Sequence, residues 1–249
     1  MGGRYEIVKY SEGFPPKLIV HSVDGFKTHW HNEMEILLVL EGSVELRLGD
    51  RQYRLKQDDI ILINGNELHN TSRTEEDNIL LVLQIDPKIY DTFYPQFPKM
   101  QFHCQSFLYS EDEQARFNIL RQQLAEIAWE FNKKGEGYQL RIASIVHAIG
   151  ANLMGNFEYV FIDDSKKELA QEDLATLQRI IDYIDQNLHR RITLKEIAEK
   201  EHINYYYLSH FIKNKMGISF QEYLNNARLD RAVRSLLSTN NTIIDIADE

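Results

Sequence analysis

Four side chains in the first third of the chain have the types and spacing of a metal or small-ligand site: His29, His31, Glu35 and His69. In an extended strand successive side chains alternate between faces, so His29 and His31 share one face. Glu35 lies an even number of positions further on and joins them if the strand runs unbroken. His69, brought in by a neighbouring strand, completes a set of three imidazoles and one carboxylate. Such a set suits zinc, iron, manganese or nickel. Without metal, the same groups could bind a small effector directly. A third reading keeps the histidines hydrogen-bonded inside a barrel, with no chemistry. Trp30, between the two histidines, faces away from them by the same alternation.

A second set lies near the end. Asn204 has the position of a helix N-cap ahead of Leu208, Phe211 and Ile212, which form an inner face. The outer face is Tyr205, Tyr206, Ser209, His210 and Lys213, a mixture of hydroxyl, imidazole and ammonium groups suited to a DNA groove. Upstream, Thr193 and Glu196 have the form of a capping box in front of Leu194, Ile197 and Ala198. Downstream, Gly217 stops the helix. Ser219 and Glu222 then open another, with Tyr223, Leu224, Leu229, Ala232, Leu236 and Leu237 at helical spacing.

Ile192-Thr193-Leu194-x-x-Ile197-Ala198, Leu208-Ser209-x-Phe211, Gly217-Ile218-Ser219-Phe220-x-x-Tyr223-Leu224 and Arg228-Leu229-x-x-Ala232-x-x-Leu236-Leu237 resemble, in this order, the AraC family of transcription regulators. Thr242-x-x-Asp245-Ile246-Ala247 resembles the opening of that family's second helix-turn-helix. The resemblance implies that Tyr205, Tyr206, Ser209 and His210 read bases in the major groove. It implies that Lys213 and the pair Arg190 and Arg191 contact phosphates and set the register. His210 stands where the family often has arginine, and a neutral imidazole cannot make arginine's bidentate contact with guanine. The chain stops within the second unit, so truncation of a longer protein and weak DNA binding by this form are expected.

These residues need elements to hold them. From Tyr5 to Ile85, short strands with turns between them predict an antiparallel sandwich or barrel. His29-x-His31, Glu35, Gly42 and His69 resemble the two motifs of cupins, which are small jelly rolls. Asp58, Asn64 and Asn66 stand where the second motif has glycine, proline and glycine. Pro87 to Phe107, rich in aromatics, reads as a loop across the barrel, over its mouth. Ser110 with Glu113 then caps a helix carrying Phe117, Leu120, Leu124, Ile127 and Phe131. A second helix carries Leu140, Ile142, Ile145, Val146, Ile149 and Leu153. AraC-like proteins commonly dimerise through such a hairpin, so a homodimer is expected.

The resulting expectation is an α+β chain: a cupin-like effector-sensing barrel over 1–108, a helical hairpin over 109–157, a charged linker over 158–172 and an all-α DNA-binding domain over 173–249. The function expected is effector-controlled transcription regulation on double-stranded DNA, not catalysis. A sugar is the leading effector, because AraC-like regulators commonly sense carbohydrates and aromatic side chains stack on them. The alternative is a metal-dependent cupin enzyme with an accessory helical domain.

Composition constrains this further. The net charge of −10 is unusual for a DNA binder, but most of the excess acid lies before Asp173. The last part is nearly neutral, and phosphate contacts depend on where cations sit rather than on their total. The sole cysteine, Cys104, excludes an internal disulfide and fits a reducing cytoplasm. No apolar run is long enough for a membrane span.

Overall fold

The computed structural model describes residues 4–6, 8–10, 14–216 and 218–238. Nine strands and six α-helices are described among them: β1 (Arg4–Tyr5), β2 (Lys17–His21), β3 (Gly25–Trp30), β4 (Met34–Leu48), β5 (Arg51–Lys56), β6 (Ile60–Ile63), β7 (His69–Ile85), β8 (Met100–His103), α1 (Ala115–Lys133), α2 (Tyr138–Asn156), β9 (Glu158–Phe161), α3 (Asp164–Gln186), α4 (Leu194–Lys200), α5 (Tyr205–Met216) and α6 (Phe220–Ser238). Gly217 and the start of the second helix-turn-helix, in 239–249, lie outside the described residues.

The long antiparallel pair β4–β7 is the spine of a seven-stranded sheet. β3 and then β1 extend it beyond β7, β5 extends it beyond β4, and β2 and β6 pair with the far halves of β7 and β4. The middle of the spine is apolar on both faces, and alternation assigns the faces. Leu37, Val39, Leu80 and Val82 point into the barrel with Leu55, Ile61 and Ile63. Ile36, Leu38, Leu81 and Leu83 point outward, where Phe117, Leu120, Leu124, Ile142, Val146 and Ile149 of the α1–α2 hairpin cover them. Two-sided burial explains why these strands read as continuous hydrophobic runs.

The segment 87–107 does not cover the barrel's cavity. Tyr90, Phe97, Met100, Phe102 and Cys104 are buried in the layer between the sheet and the hairpin. The 158–172 segment differs from the linker expected there. Glu158–Phe161 pairs antiparallel with Met100–His103, and α3 begins at Asp164, nine residues ahead of the expected domain boundary. The charged run after Phe161 forms the start of this helix.

Three glycines or glycine-like positions shape the spine and its turns. Gly42 has φ +70, and a Cβ there would sit 1.7 Å from the Asp77 carbonyl oxygen. It marks a register shift between β4 and β7. Asp58 and Asn66 take φ of 69° and 66°, so residues that tolerate the left-handed region replace the cupin glycines without losing the turns.

The C-terminal helices form their own core of Leu177, Ile180, Ile181, Ile184, Ile197, Leu208, Ile212, Tyr223 and Leu224. Trp30 and Leu68 of the barrel are buried in the same cluster. Tyr5 N–H also donates to Gln178 Oε1 of α3 at 2.9 Å. Leu229 and Leu236, expected at apolar spacing on α6, are 64% and 47% exposed.

Gly150 on α2 tests the packing of the outer layer. A Cβ there would lie 2.5 Å from the Tyr90 ring, which is held by its hydroxyl bond to the Val146 carbonyl and by Phe97. Gly150→Ala gains about 1 kcal/mol of helix propensity, while overpacking costs about 1–3 kcal/mol. Net destabilisation is expected and is read from the thermal midpoint; a raised midpoint would show that Tyr90 moves aside freely.

Candidate functional site

The structure brings His29, His31, Glu35 and His69 together. One ligand atom from each lies within 4.8 Å of the others, and all four side chains are buried. β3 supplies His29, and His31 follows directly after it. Glu35 enters on β4 and His69 opens β7. The bend at Asn32-Glu33 does not disturb the shared face, because β4 turns Glu35 inward beside Leu37. The turn before His69 is tied to the first pair, with Asn66 N–H donating to the His31 carbonyl at 2.7 Å. Gly65 allows that approach, since a Cβ there would lie 2.4 Å from the Asn32 carbonyl oxygen.

Each imidazole is oriented by a backbone carbonyl two residues away. His29 Nδ1 bonds to Lys27 O at 2.9 Å, His31 Nδ1 to Glu33 O at 3.0 Å and His69 Nδ1 to Glu67 O at 2.8 Å. A carbonyl can only accept, so all three Nδ1 atoms carry hydrogen and the Nε2 atoms face the cluster. His31 Nε2 lies 3.2 Å from Glu35 Oε2. With acceptors at both nitrogens, His31 is the protonated member. Burial works against its charge, but the hydrogen bond and negative charge of Glu35 outweigh it and raise the pKa. Glu35 would be raised by burial; the bond from His31, the neighbouring imidazoles and a bond from Gln84 bring it down to about 2. Burial drives His69 down to about 3 and lowers His29 as well.

The neutral imidazoles leave a surplus of acceptors. His69 Nε2 is buried with no hydrogen-bond partner and stands 3.8 Å from Glu35 Oε1. His29 Nε2 faces Glu6 Oε2 at 3.4 Å. Lone pairs and carboxylate oxygens pointing at one another call for a cation between them. The orphaned His69 nitrogen and the mixed nitrogen–oxygen donor set fit a divalent transition metal, with the backbone carbonyls as the outer partners that metal-binding histidines ordinarily have. Beside the cluster is a cavity of about 60 Å³ walled by Ile19, Val23, Phe26, Leu37, Leu80 and Val82, with Glu6, His21, Thr71 and Gln84.

Glu6 and Gln84 are site residues that sequence reasoning missed. Gln84 had a visible signal, a lone polar residue inside the apolar run Ile79 to Ile85. Glu6 had none, because β1 reaches the site only through its parallel pairing with β3. Trp30 faces away from the cluster, as alternation requires.

On the second candidate surface, Asn204 Oδ1 accepts from Tyr206 and Tyr207 N–H at 2.9 and 3.2 Å and caps α5. Leu208, Phe211 and Ile212 are buried, while Tyr205, Tyr206, Ser209, His210 and Lys213 are exposed along the opposite side. The turn before α5 places His202 at φ 56. Thr193 Oγ1 accepts from Glu196 N–H at 3.2 Å, the expected cap of α4. Arg190 differs from Arg191. Arg191 is exposed, but Arg190 is paired with Glu196 and bonded to Tyr183 and Asn187. Its guanidinium joins α3 to α4, so the role expected from its sequence position is largely taken up by structure.

The comparisons agree with both halves. The family model of the AraC-like ligand binding domain matches residues 19–149, and a helix-turn-helix domain matches residues 197–249. The chain is 24% identical to YfiF of Bacillus subtilis, an HTH-type transcriptional regulator, over 89% of this chain and 70% of that one. It is 24% identical to YobQ of the same organism, also an HTH-type regulator, over 90% of this chain and 78% of that one. Against the HTH-type regulator SAR0107 of Staphylococcus aureus it is 23% identical, over 87% of this chain but only 28% of the longer relative. Among solved structures, ToxT of Vibrio cholerae aligns over 93% of this chain and 87% of its own at 15% identity and a TM-score of 0.39. A cupin-2 domain protein of Shewanella frigidimarina aligns over 27% of this chain and 68% of its own at 18% identity and a TM-score of 0.26. With its ligand-binding barrel and its helix-turn-helix both matched, the chain belongs to the AraC family of transcription regulators.

Proposed function

We propose that this regulator is controlled by a divalent transition metal held at His29, His31, Glu35 and His69. The single observation that carries the reading is the convergence of buried imidazole nitrogens and a carboxylate with His69 Nε2 left without a partner. Bound there, the metal would supply a Lewis-acidic centre for an oxygen or nitrogen ligand in the adjoining cavity. A sugar, the effector expected from the sequence, fits this cavity poorly. At about 60 Å³ it is well below the few hundred Å³ of pockets for drug-sized molecules. An ion with a ligand of few atoms suits it better. The relatives are named as regulators, which supports regulation rather than turnover as the role of the site.

DNA recognition is assigned to α5, with Tyr205, Tyr206, Ser209 and His210 toward base edges and Lys213 and Arg191 toward phosphates. The exposed Ile119, Trp129 and Leu140 of the hairpin support self-association through α1 and α2.

Metal analysis after dialysis against zinc, cobalt, nickel or manganese should find one equivalent per chain. At a hundredfold excess over Kd, binding to the native state adds about 2.7 kcal/mol. That raises the thermal midpoint by about 5–10 °C, reversibly with chelator, and His69→Ala should abolish the effect. No retained metal, together with a saccharide-dependent rise that persists in chelator, would overturn the metal and support the sugar.

With a binding sequence selected from random DNA, Tyr206→Ala should weaken specific binding about 5- to 150-fold and leave random DNA nearly unaffected. Lys213→Ala should weaken both alike and reduce the salt slope by about one. Equal losses of specific and random binding in both variants would remove the assignment. Arg190→Ala should lower the thermal midpoint of the helical domain, whereas Arg191→Ala should leave it unchanged and weaken DNA binding.

A further inference from the structure

The protein uses the nitrogen of the Gln84 amide and leaves its oxygen without a partner. It lies opposite Glu35 across the β4–β7 ladder and is 2% exposed. Its Nε2 donates to Glu35 Oε2 at 2.9 Å, the same oxygen that faces His31 Nε2, and lies 3.4 Å from that imidazole nitrogen. This contact fixes the sense of the amide, because a reversed amide would turn its carbonyl oxygen toward an anionic carboxylate. Oε1 is therefore left buried, with no hydrogen-bond partner, in a side chain that lines the small cavity beside the cluster.

Supporting Glu35 needs only the donor half of an amide. The rest of the strand, Ile79 to Ile85 apart from Gln84, is aliphatic, and most of the cavity wall is apolar too. A buried acceptor without a partner is destabilising in such surroundings. A ligand that brings a donor removes that penalty, and one that brings only acceptors does not.

We propose that Gln84 is the specificity-determining residue of the site: its Oε1 accepts a hydrogen bond from a small metal-binding ligand that carries an N–H or O–H next to its coordinating atom. The inference rests on the metal reading above and adds the class of ligand. Small protic chelators are selected over aprotic anions of the same size. The aliphatic walls favour a short alkyl body and disfavour a polyhydroxylated one.

The test loads the full chain with cobalt(II), whose visible absorption reports occupancy and ligand exchange, and titrates acetohydroxamic acid and acetate. The two probes are similar in size, and only the first keeps a hydrogen-bond donor when bound through oxygen. Wild-type protein should prefer acetohydroxamic acid. Gln84→Met should take up cobalt and bind acetohydroxamic acid about 5- to 150-fold more weakly, with acetate changed by less than about twofold. Gln84→Glu, which retains an acceptor, should recover at least a tenth of the wild-type affinity for acetohydroxamic acid. Equal weakening toward both probes, or no change toward either, overturns the proposal and reduces Gln84 to a support for Glu35. If Gln84→Met does not fold, the two-probe ratio in Gln84→Glu decides, a ratio reduced to that of free cobalt being the negative result. If wild-type protein takes up no cobalt, the metal reading itself has failed and this inference with it, an outcome distinct from cobalt uptake without discrimination.

Discussion

The antiparallel ladder between β4 and β7 carries almost everything else in the N-terminal half. It pairs Glu35 with Gln84 and Leu48 with His69, so the carboxylate, its amide support and the third imidazole are placed by one set of backbone hydrogen bonds. Its two apolar faces fill the barrel on one side and seat the helical hairpin on the other. A one-residue slip would exchange those faces. Aliphatic residues would then line the site, and Glu35 and Gln84 would be forced against the hairpin. Gly42, with its left-handed backbone and its close approach to Asp77, marks where the ladder shifts register, and the inward face passes from Leu37 and Val39 to Val44 and Leu46.

The polar cluster is expensive for the fold in a way the ladder absorbs. Three imidazoles and a carboxylate lie where a barrel of this size would otherwise hold aliphatic side chains, and only His31 with Glu35 forms a charge-compensated pair. Every Nδ1 is satisfied by main chain, which keeps the rings fixed in orientation at little further cost. The unmet groups are confined to the point where a ligand would sit, as expected where stability is given up for binding.

Three of the cluster residues, His29, His31 and Glu35, were legible from parity, because a strand imposes a period of two and an even offset survives the bend between β3 and β4. His69 depended on turns whose residues depart from the family pattern. Asp58 and Asn66 preserve those turns because their short polar side chains tolerate positive φ. Gln84 was visible as an exception in an apolar run, whereas Glu6 was hidden by non-local parallel pairing. The charged run after Phe161 has the low apolar content of a linker, yet its backbone forms the first turns of α3. Arg190 shows the limit of assigning a cation from its position in a motif, since Glu196, Tyr183 and Asn187 are equally near in space and hold it first. On α5 the opposite held, and helical spacing alone separated the buried Leu208, Phe211 and Ile212 from the exposed row beside them.

Trp30 sits between His29 and His31, and Leu68 immediately precedes His69; both are buried among the helices of the C-terminal half. The side chains on the two faces of a strand share one rigid backbone. Any rolling of β3 that moves His29 toward Glu35 swings the indole the opposite way, like the two ends of a seesaw. The fulcrum is the peptide chain itself, so no relay of intervening side chains is needed. The site and the helical core thus meet across the length of a single residue.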